Sequence, residues 1–360
     1  MSDEKLGLWK DDDLSTMISR STGNRYYQAL PEEVQFVHSV AKVLAMRNAK
    51  DKTALCSAPS LYVLGPVPEN VRVVPKREPT FSLGGVNVAG KIWFGAQAMN
   101  SCNGFAIFTG ADSDAIFTFV SKTLASGSRP AIYFDGSSSE ALLRFYPKGV
   151  DTPEDCEDIL FGGANFNETI LKDLLDRIHE KSLITPTAGS AAKDIWQDKE
   201  KGFPVERAEG AIQKIVQVGL VIGLGNLKVK SEETGVFGRY DLAVIEQDPL
   251  DPSKNTNHAI LELKIVKAYT NSGNKVSDAA NQKAVQKGIR QAFAYRMEHG
   301  SRFSALCCYD LRPAPSLHKY STSKCKNAVK LDVKFWAWPI FSTPESARIW
   351  LEEKYLSGNT

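Results

Sequence analysis

No stretch of this chain approaches the roughly 20 uninterrupted apolar residues that a helix needs to cross a bilayer. Its first residues, MSDEKLGLWKDDD, are acidic and polar where an export signal is basic and then apolar. A cytoplasmic protein without membrane association is expected. The six cysteines, Cys56, Cys102, Cys156, Cys307, Cys308 and Cys325, form no CxxC pair. That argues against a zinc site or a disulfide framework and leaves them as small buried hydrophobes in a reducing compartment. The five histidines, His38, His179, His258, His299 and His318, lack metal-ligand spacing, which disfavours zinc hydrolases and histidine-based nucleases. There is no P-loop, hence no motor activity of its own. The glycines of GLVIGLGN follow a helix rather than end a strand, so they fail the dinucleotide fingerprint.

What remains is ordinary globular material: 360 residues, 42% hydrophobic and 24% charged, enough for a sizeable core and long enough to expect two domains. A net charge of +2 says nothing about an anionic partner until its distribution is read. Residues 251–330 hold fourteen basic side chains against five acidic ones, a local +9 that leaves −7 for the remainder. That polarity suits phosphate binding, and equally suits a solvated lysine-rich face.

Pro31 followed by EEVQFVHSVAKVLAMR predicts a helix, with Glu32 and Glu33 in its first turn and Val34, Val37, Val40, Ala41 and Leu44 on one buried face. The runs SLYVLG, VRVV, KIWFG, GFAIFTG, AIFTFVS and AIYFDG, separated by Gly, Pro, Asn and Ser, read as strands. ETILKDLLDRIHEKSL, residues 168–183, reads as a helix closing a β-rich α+β domain of residues 1–184. TPTAGSAAKD has linker composition, which places a linker at 185–200 and a second domain at 201–360.

The second domain reads as a helix near 205–221, a strand near 227–230, longer strands at about 235–247 and 258–267, and a helix at about 278–299. The strands SALCCYDLR and VKFWAWPIF and a last helix, SARIWLEEKYL, follow. This is the order of an α/β sandwich around one mixed sheet.

The chemistry concentrates on two of these strands. Side chains alternate along a strand, so Glu262 and Lys264 in AILELKIV share one face while Leu261, Leu263 and Ile265 take the other. Burying either charge alone in so apolar a run is expensive, which makes chance placement of both improbable. Asp241 in GRYDLAVIE opens the neighbouring strand and meets Glu262 if the two pair as a long hairpin. Two carboxylates at a strand end offer hard oxygen ligands for Mg²⁺. The competing reading is a structural cross-strand ion pair.

Other residues are open in the same way. Arg239 is an ion-pair partner of Asp241 or a phosphate contact. Gln291 and Tyr295, four apart on a helix, are a polar surface pair or substrate contacts. Lys283, Lys287 and Arg290 form a cationic stripe that is a solvated face or a nucleic-acid contact.

In order, Glu209 in EGAIQ, Asp241 closing GRYD, Glu262 and Lys264 in ELK, and Gln291 with Tyr295 in RQAFAY resemble the PD-(D/E)XK nuclease superfamily, the restriction-endonuclease-like fold. The resemblance covers about residues 205–311, and Tyr240 stands where the family's name has proline. It implies a mixed sheet flanked by helices and a metal-dependent phosphodiesterase. Asp241, Glu262, Glu209 and the Leu263 carbonyl would hold Mg²⁺, for which Mn²⁺ can substitute, and Lys264 would activate or position the attacking water. Glu209 is the carried-over helix residue in preference to Glu206, three positions earlier on the same face. DNA as the substrate, a role in restriction, phage defence or repair, and a homodimer or higher oligomer are further implications. A recognition or regulatory role is then expected of residues 1–184.

Three rivals stand beside this reading. An RNase or structure-selective repair nuclease would use the same fold. A non-catalytic nucleic-acid-binding protein would retain it without needing Lys264. A two-carboxylate glycosidase on Asp241 and Glu262 fits the basic surroundings less well than a phosphodiesterase.

Overall fold

Apolar residues at helical spacing behind two glutamates produce helix α1 (Glu32–Lys50), which buries the expected Val34, Val37, Val40, Ala41 and Leu44, and Phe36 besides. The computed structural model describes residues 31–50, 55, 58–71, 74–80, 87–107, 110–136, 142–159, 166–189, 192–225, 227–231, 234–236, 238–248, 251, 254–313 and 326–356. Cys56, Cys325, His318, the acidic first residues and the middles of VRVV and GFAIFTG lie outside them. Among the described residues the chain is a mixed α/β protein with seven α-helices, a seven-stranded sheet and a five-stranded sheet. It divides into two compact units. The first comprises Met1–Gly163, Val221–Asn226 and Asp248–Ser253, and the second Ala164–Leu220, Leu227–Gln247 and Lys254–Thr360.

The first unit holds strands β1 (Ser60–Leu64), β2 (Arg77–Pro79), β3 (Lys91–Gly95), β4 (Ser101–Ala106), β5 (Ala131–Asp135), β6 (Leu142–Tyr146) and β7 (Glu157–Ile159). Their order is β2-β4-β3-β1-β5-β6-β7, with β1 and β3 parallel and the other pairs antiparallel. Helix α1 lies on the face of Tyr62, Trp93, Ile132 and Phe134. The opposite face, with Leu61, Val63, Ile92 and Tyr133, is covered by Ile116 and Val120.

Those last two residues correct the sequence reading, for AIFTFVS is helical. Asp112 accepts the Ala115 N–H at 2.8 Å and so starts α2 (Ser113–Thr118), which continues as a π-helical turn, Phe119–Thr123. The spacing of Ile116 and Val120, one turn apart on the sheet, overrides the strand preference of Ile and Phe.

In the second unit, Asn167 caps α3 (Glu168–Ser182) by accepting the Ile170 N–H. A small ribbon, β8 (Trp196–Asp198) with β9 (Phe203–Pro204), precedes α4 (Ala208–Gly223). Strands β10 (Lys228–Ser231), β11 (Thr234–Gly235), β12 (Gly238–Arg239), β13 (Leu242–Gln247) and β14 (Asn255–Val266) follow, then α5 (Asp278–His299), β15 (Phe303–Asp310), α6 (Lys326–Lys330), β16 (Lys334–Pro339) and α7 (Pro344–Leu356). The five-stranded sheet runs β10-β13-β14-β15-β16, antiparallel up to β14 and parallel beyond it.

Helix α5 lays Val285, Ile289 and Ala292 on Val266, Leu306 and Cys308. Its Gly288 is required there, because a Cβ would come within 2.7 Å of Leu306 and 2.9 Å of Lys264. The other face receives α3: Asp176 accepts the Trp338 indole N–H at 2.6 Å, His179 Nε2 meets the Pro339 carbonyl, and Trp338 stacks on Tyr309.

Two boundaries differ from expectation. Helix α3 and residues 185–200 group with the second unit rather than closing the first or linking the two, because α3 is fastened to β16. The single strand expected at 235–247 is broken into β11, β12 and β13, with Gly238 at φ +121° and close to the Tyr295 hydroxyl. Asp241 therefore sits on a bend just ahead of β13 rather than within a strand.

Candidate active site

Alternation along β14 does what the sequence requires of it. Leu261 and Leu263 are fully buried on one side, while Glu262 and Lys264 share the other and are joined there, the Lys264 ammonium donating to Glu262 Oε1 at 2.8 Å. In the antiparallel register Leu242 faces Leu261, and one step further places residue 241 opposite Glu262. The chain bends at that step, so the Leu263 N–H meets the side chain of Asp241, donating to Oδ2 at 2.7 Å. Asp241 Oδ2 lies 3.9 Å from the Lys264 nitrogen.

Glu209 arrives from the first turn of α4. Its Oε1 is 3.4 Å from the Lys264 nitrogen, and its Oε2 accepts the Ile265 N–H at 3.4 Å. Glu206 is exposed. Three carboxylates from three elements thus surround one ammonium.

Their electrostatics follow from that crowding. Glu262 is 2% exposed as a side chain. Its carboxyl is pushed up to about 8, first by burial and then by the neighbouring Asp241, with Lys264 pulling the other way. Burial lowers the Lys264 ammonium, but Glu262, Glu209 and Asp241 outweigh it and hold the group above the ordinary lysine range. Lys264 is therefore protonated throughout the neutral range. Three carboxyl groups thus crowd one ammonium, and among the described residues the buried Glu262 Oε2 has no hydrogen-bond partner.

An orphaned carboxyl oxygen with two further carboxyl groups beside it fits a hard divalent cation, which would displace the Glu262 proton. The arrangement shown is the one Lys264 holds together. The ammonium occupies the point around which the acids gather, and among the described residues no three acidic, cysteine or histidine side chains converge as ready ligands. The Leu263 carbonyl, expected as a ligand, is taken by the Lys264 nitrogen at 2.7 Å.

The remaining candidates lie elsewhere. Arg239 is exposed on β12, two positions before Asp241. Tyr295 is 2% exposed and packs with Tyr240, Ala243, Ile245 and Ile260. Gln291 Nε2 donates to its hydroxyl at 3.3 Å. This pair is not the surface pair the sequence allowed, since Tyr295 stands in the core beneath the bend that carries Asp241 and Gln291 is half-buried. Lys283, Lys287 and Arg290 are exposed together on the outer face of α5.

Sequence reading passed over two residues. Gln213, one turn after Glu209 on α4, donates to the Asp241 backbone carbonyl at 3.0 Å. Asn281, 3% exposed, clamps both the N–H and the C=O of Lys267 just beyond β14. The only hint of Gln213 was a glutamine at i+4 from Glu209 on an apolar helix, and Asn281 gave no signal.

Comparison of the chain with protein-family models, with curated proteins and with solved structures gives no match.

Proposed function

We propose that the chain is a Mg²⁺-dependent phosphodiesterase that cleaves nucleic acid, on a restriction-endonuclease-like fold in its C-terminal half. One observation carries this reading: Asp241, Glu262 and Glu209, from three separate elements, gather on Lys264 with a buried Glu262 oxygen left unsatisfied. A fold stabilised by burial alone has no use for such a cluster, because withdrawing Lys264 and Glu262 from water costs more than placing apolar side chains of the same size there.

Asp241, Glu262 and Glu209 would hold the cation, with Mn²⁺ able to replace it; when bound, it supplies a more acidic water and neutralises charge on the phosphate. The chain's own residues do the rest. Lys264, being protonated, acts as a cation and hydrogen-bond donor rather than as a base, so its part is to hold the scissile phosphate or orient the water. Gly288 lets α5 lie close enough to restrain the lysine stem. The exposed stripe of Lys283, Lys287 and Arg290, with Arg239 beside Asp241, supplies backbone contacts to the polyanion. DNA in a restriction or phage-defence setting, a cytoplasmic location, assembly as a homodimer, and a recognition or regulatory role for the first unit complete the proposal. Among the described residues no helix is long and apolar enough to cross a membrane.

The second reading, a non-catalytic nucleic-acid-binding protein, draws on the saturation of Lys264 by all three acids. Incubating plasmid DNA, single-stranded DNA and RNA with the protein separates the two, in Mg²⁺ or in EDTA, for wild type, Glu262→Ala and Lys264→Ala. Mg²⁺-dependent cutting lost in both variants supports the nuclease. Binding without cutting in any metal supports the alternative, and equal cutting by variants and wild type places the activity elsewhere.

A further inference from the structure

We infer that Gln213 is a positioning residue that sets Asp241 against strand β14, so that α4 fixes the spacing between two acids of the cluster, Glu209 and Asp241. The inference rests on the nuclease reading only for its consequence; the positioning itself is a property of the fold.

Where β13 stops pairing with β14, side chains take over from the backbone ladder. The β13–β14 ladder has its last pair at Leu242 and Leu261, and the chain bends at Asp241. The Leu263 N–H, which a continued ladder would have bonded to backbone, is satisfied by the Asp241 carboxylate at 2.7 Å. The Asp241 carbonyl stands at the same half-buried point, and a carbonyl withdrawn from water needs a partner. Gln213 supplies it from α4 at 3.0 Å, through a side chain only 8% exposed.

Gln213 stands one turn from Glu209, so both reach toward the same side of α4. Glu209 Oε2 meets the Ile265 N–H at 3.4 Å while Gln213 meets Asp241. A single rigid helix thus touches β14 directly through one acid and the bend of the other acid through an amide. From below, Tyr295 packs on Tyr240 and closely approaches Gly238, and the Gln213 bond holds Asp241 from the side of α4.

The test replaces Gln213 with Met, which keeps the length and removes the donor. The control is Gln217→Met, one turn further along α4, where the buried amide nitrogen has no partner among the described residues. The first readout is hydrogen exchange of the Leu263 amide in metal-free protein. Gln213→Met should accelerate it about fivefold or more, a change on the order of one lost hydrogen bond, and Gln217→Met should leave it unchanged. The second readout is the Mg²⁺ concentration for half-maximal thermal stabilisation, expected to rise by a similar factor in Gln213→Met alone.

Unchanged exchange at Leu263 in a folded Gln213→Met protein overturns the inference. So does an equal effect of Gln217→Met, which would make the change one of general helix packing. Faster exchange in Gln213→Met, in a protein that neither binds Mg²⁺ nor cuts nucleic acid, sinks the nuclease reading and leaves the positioning role standing.

Discussion

The carboxylate of Asp241 stands in for a strand residue, accepting the Leu263 N–H at 2.7 Å where β13 has already bent away. The same bond places Oδ2 3.9 Å from the Lys264 nitrogen, so one side chain both finishes a ladder and joins a charged cluster. Asp241→Asn keeps an acceptor for the amide and discards the charge, whereas Asp241→Ala loses both. The asparagine variant should therefore fold with nearly wild-type stability and bind Mg²⁺ far more weakly. The alanine variant should in addition lose about 1–3 kcal/mol for an unsatisfied amide. Urea unfolding and Mg²⁺ titration of the two variants check the separation.

Lys264 is the cation on which all three carboxyl groups converge. Lys264→Met should destabilise the metal-free protein by about 3 kcal/mol, as removal of one member of a buried charge set does. Addition of Mg²⁺ should recover part of that loss while cleavage stays abolished. A thermal melt of the variant with and without Mg²⁺ is the measurement. A variant as stable as wild type in EDTA would show that the cluster carries little electrostatic strain.

Glu262 binds its proton more tightly in the folded chain, at about 8 against an ordinary 4.5. Its contribution to stability is then full below about pH 4.5 and is lost as pH rises through about 8, because the unfolded chain binds fewer protons across that interval. Metal-free protein should accordingly lose stability over this window, and Glu262→Gln should flatten the slope. Mg²⁺ competes with the same proton, so its stabilising effect should grow as pH rises. Melting curves from about pH 5 to about pH 9, with and without Mg²⁺, report both trends.

Gly288 packs where a methyl group has no room, 2.7 Å from Leu306 and 2.9 Å from Lys264. Gly288→Ala gains helix propensity of about 1 kcal/mol but should still be destabilised by about 1–3 kcal/mol, since overpacking forces α5 off the sheet. Because the clash includes the stem of Lys264, cleavage should fall by more than the stability loss explains. Comparing cutting rates at a temperature where both proteins are fully folded tests that.

Arg312 grips Asp310 in a bidentate pair, Nε to Oδ1 at 2.8 Å and NH2 to Oδ2 at 2.6 Å, with Asp310 only 1% exposed. Arg312→Met should cost about 3–5 kcal/mol by stranding that carboxylate, without altering the Mg²⁺ requirement of the surviving folded protein. Denaturant unfolding together with a Mg²⁺ titration checks both halves.

Much of this was legible in the chain itself. The period-2 alternation of AILELKIV was enough to put Glu262 and Lys264 on one face, and helical spacing gave α1, α3 and α5 nearly to the residue. Local pattern suffices where one face of an element is buried and the other is wet.

Tertiary structure decided the rest. AIFTFVS carries strand-forming residues, yet a capping aspartate and a sheet to cover made it a helix. Whether Glu209 or Glu206 joins Lys264 depends on where α4 begins: it starts at Ala208, which puts Glu209 in its first turn and leaves Glu206 exposed in the turn ahead of it rather than on the same helix face. The break before Asp241, the amide of Gln213 upon its carbonyl and the buried place of Tyr295 are likewise outcomes of long-range contact. Sequence determined which side chains share a strand face, because that follows from backbone geometry. Only the folded chain determined which distant groups complete the cluster, because burial and unpaired backbone groups are satisfied by whatever the fold brings near.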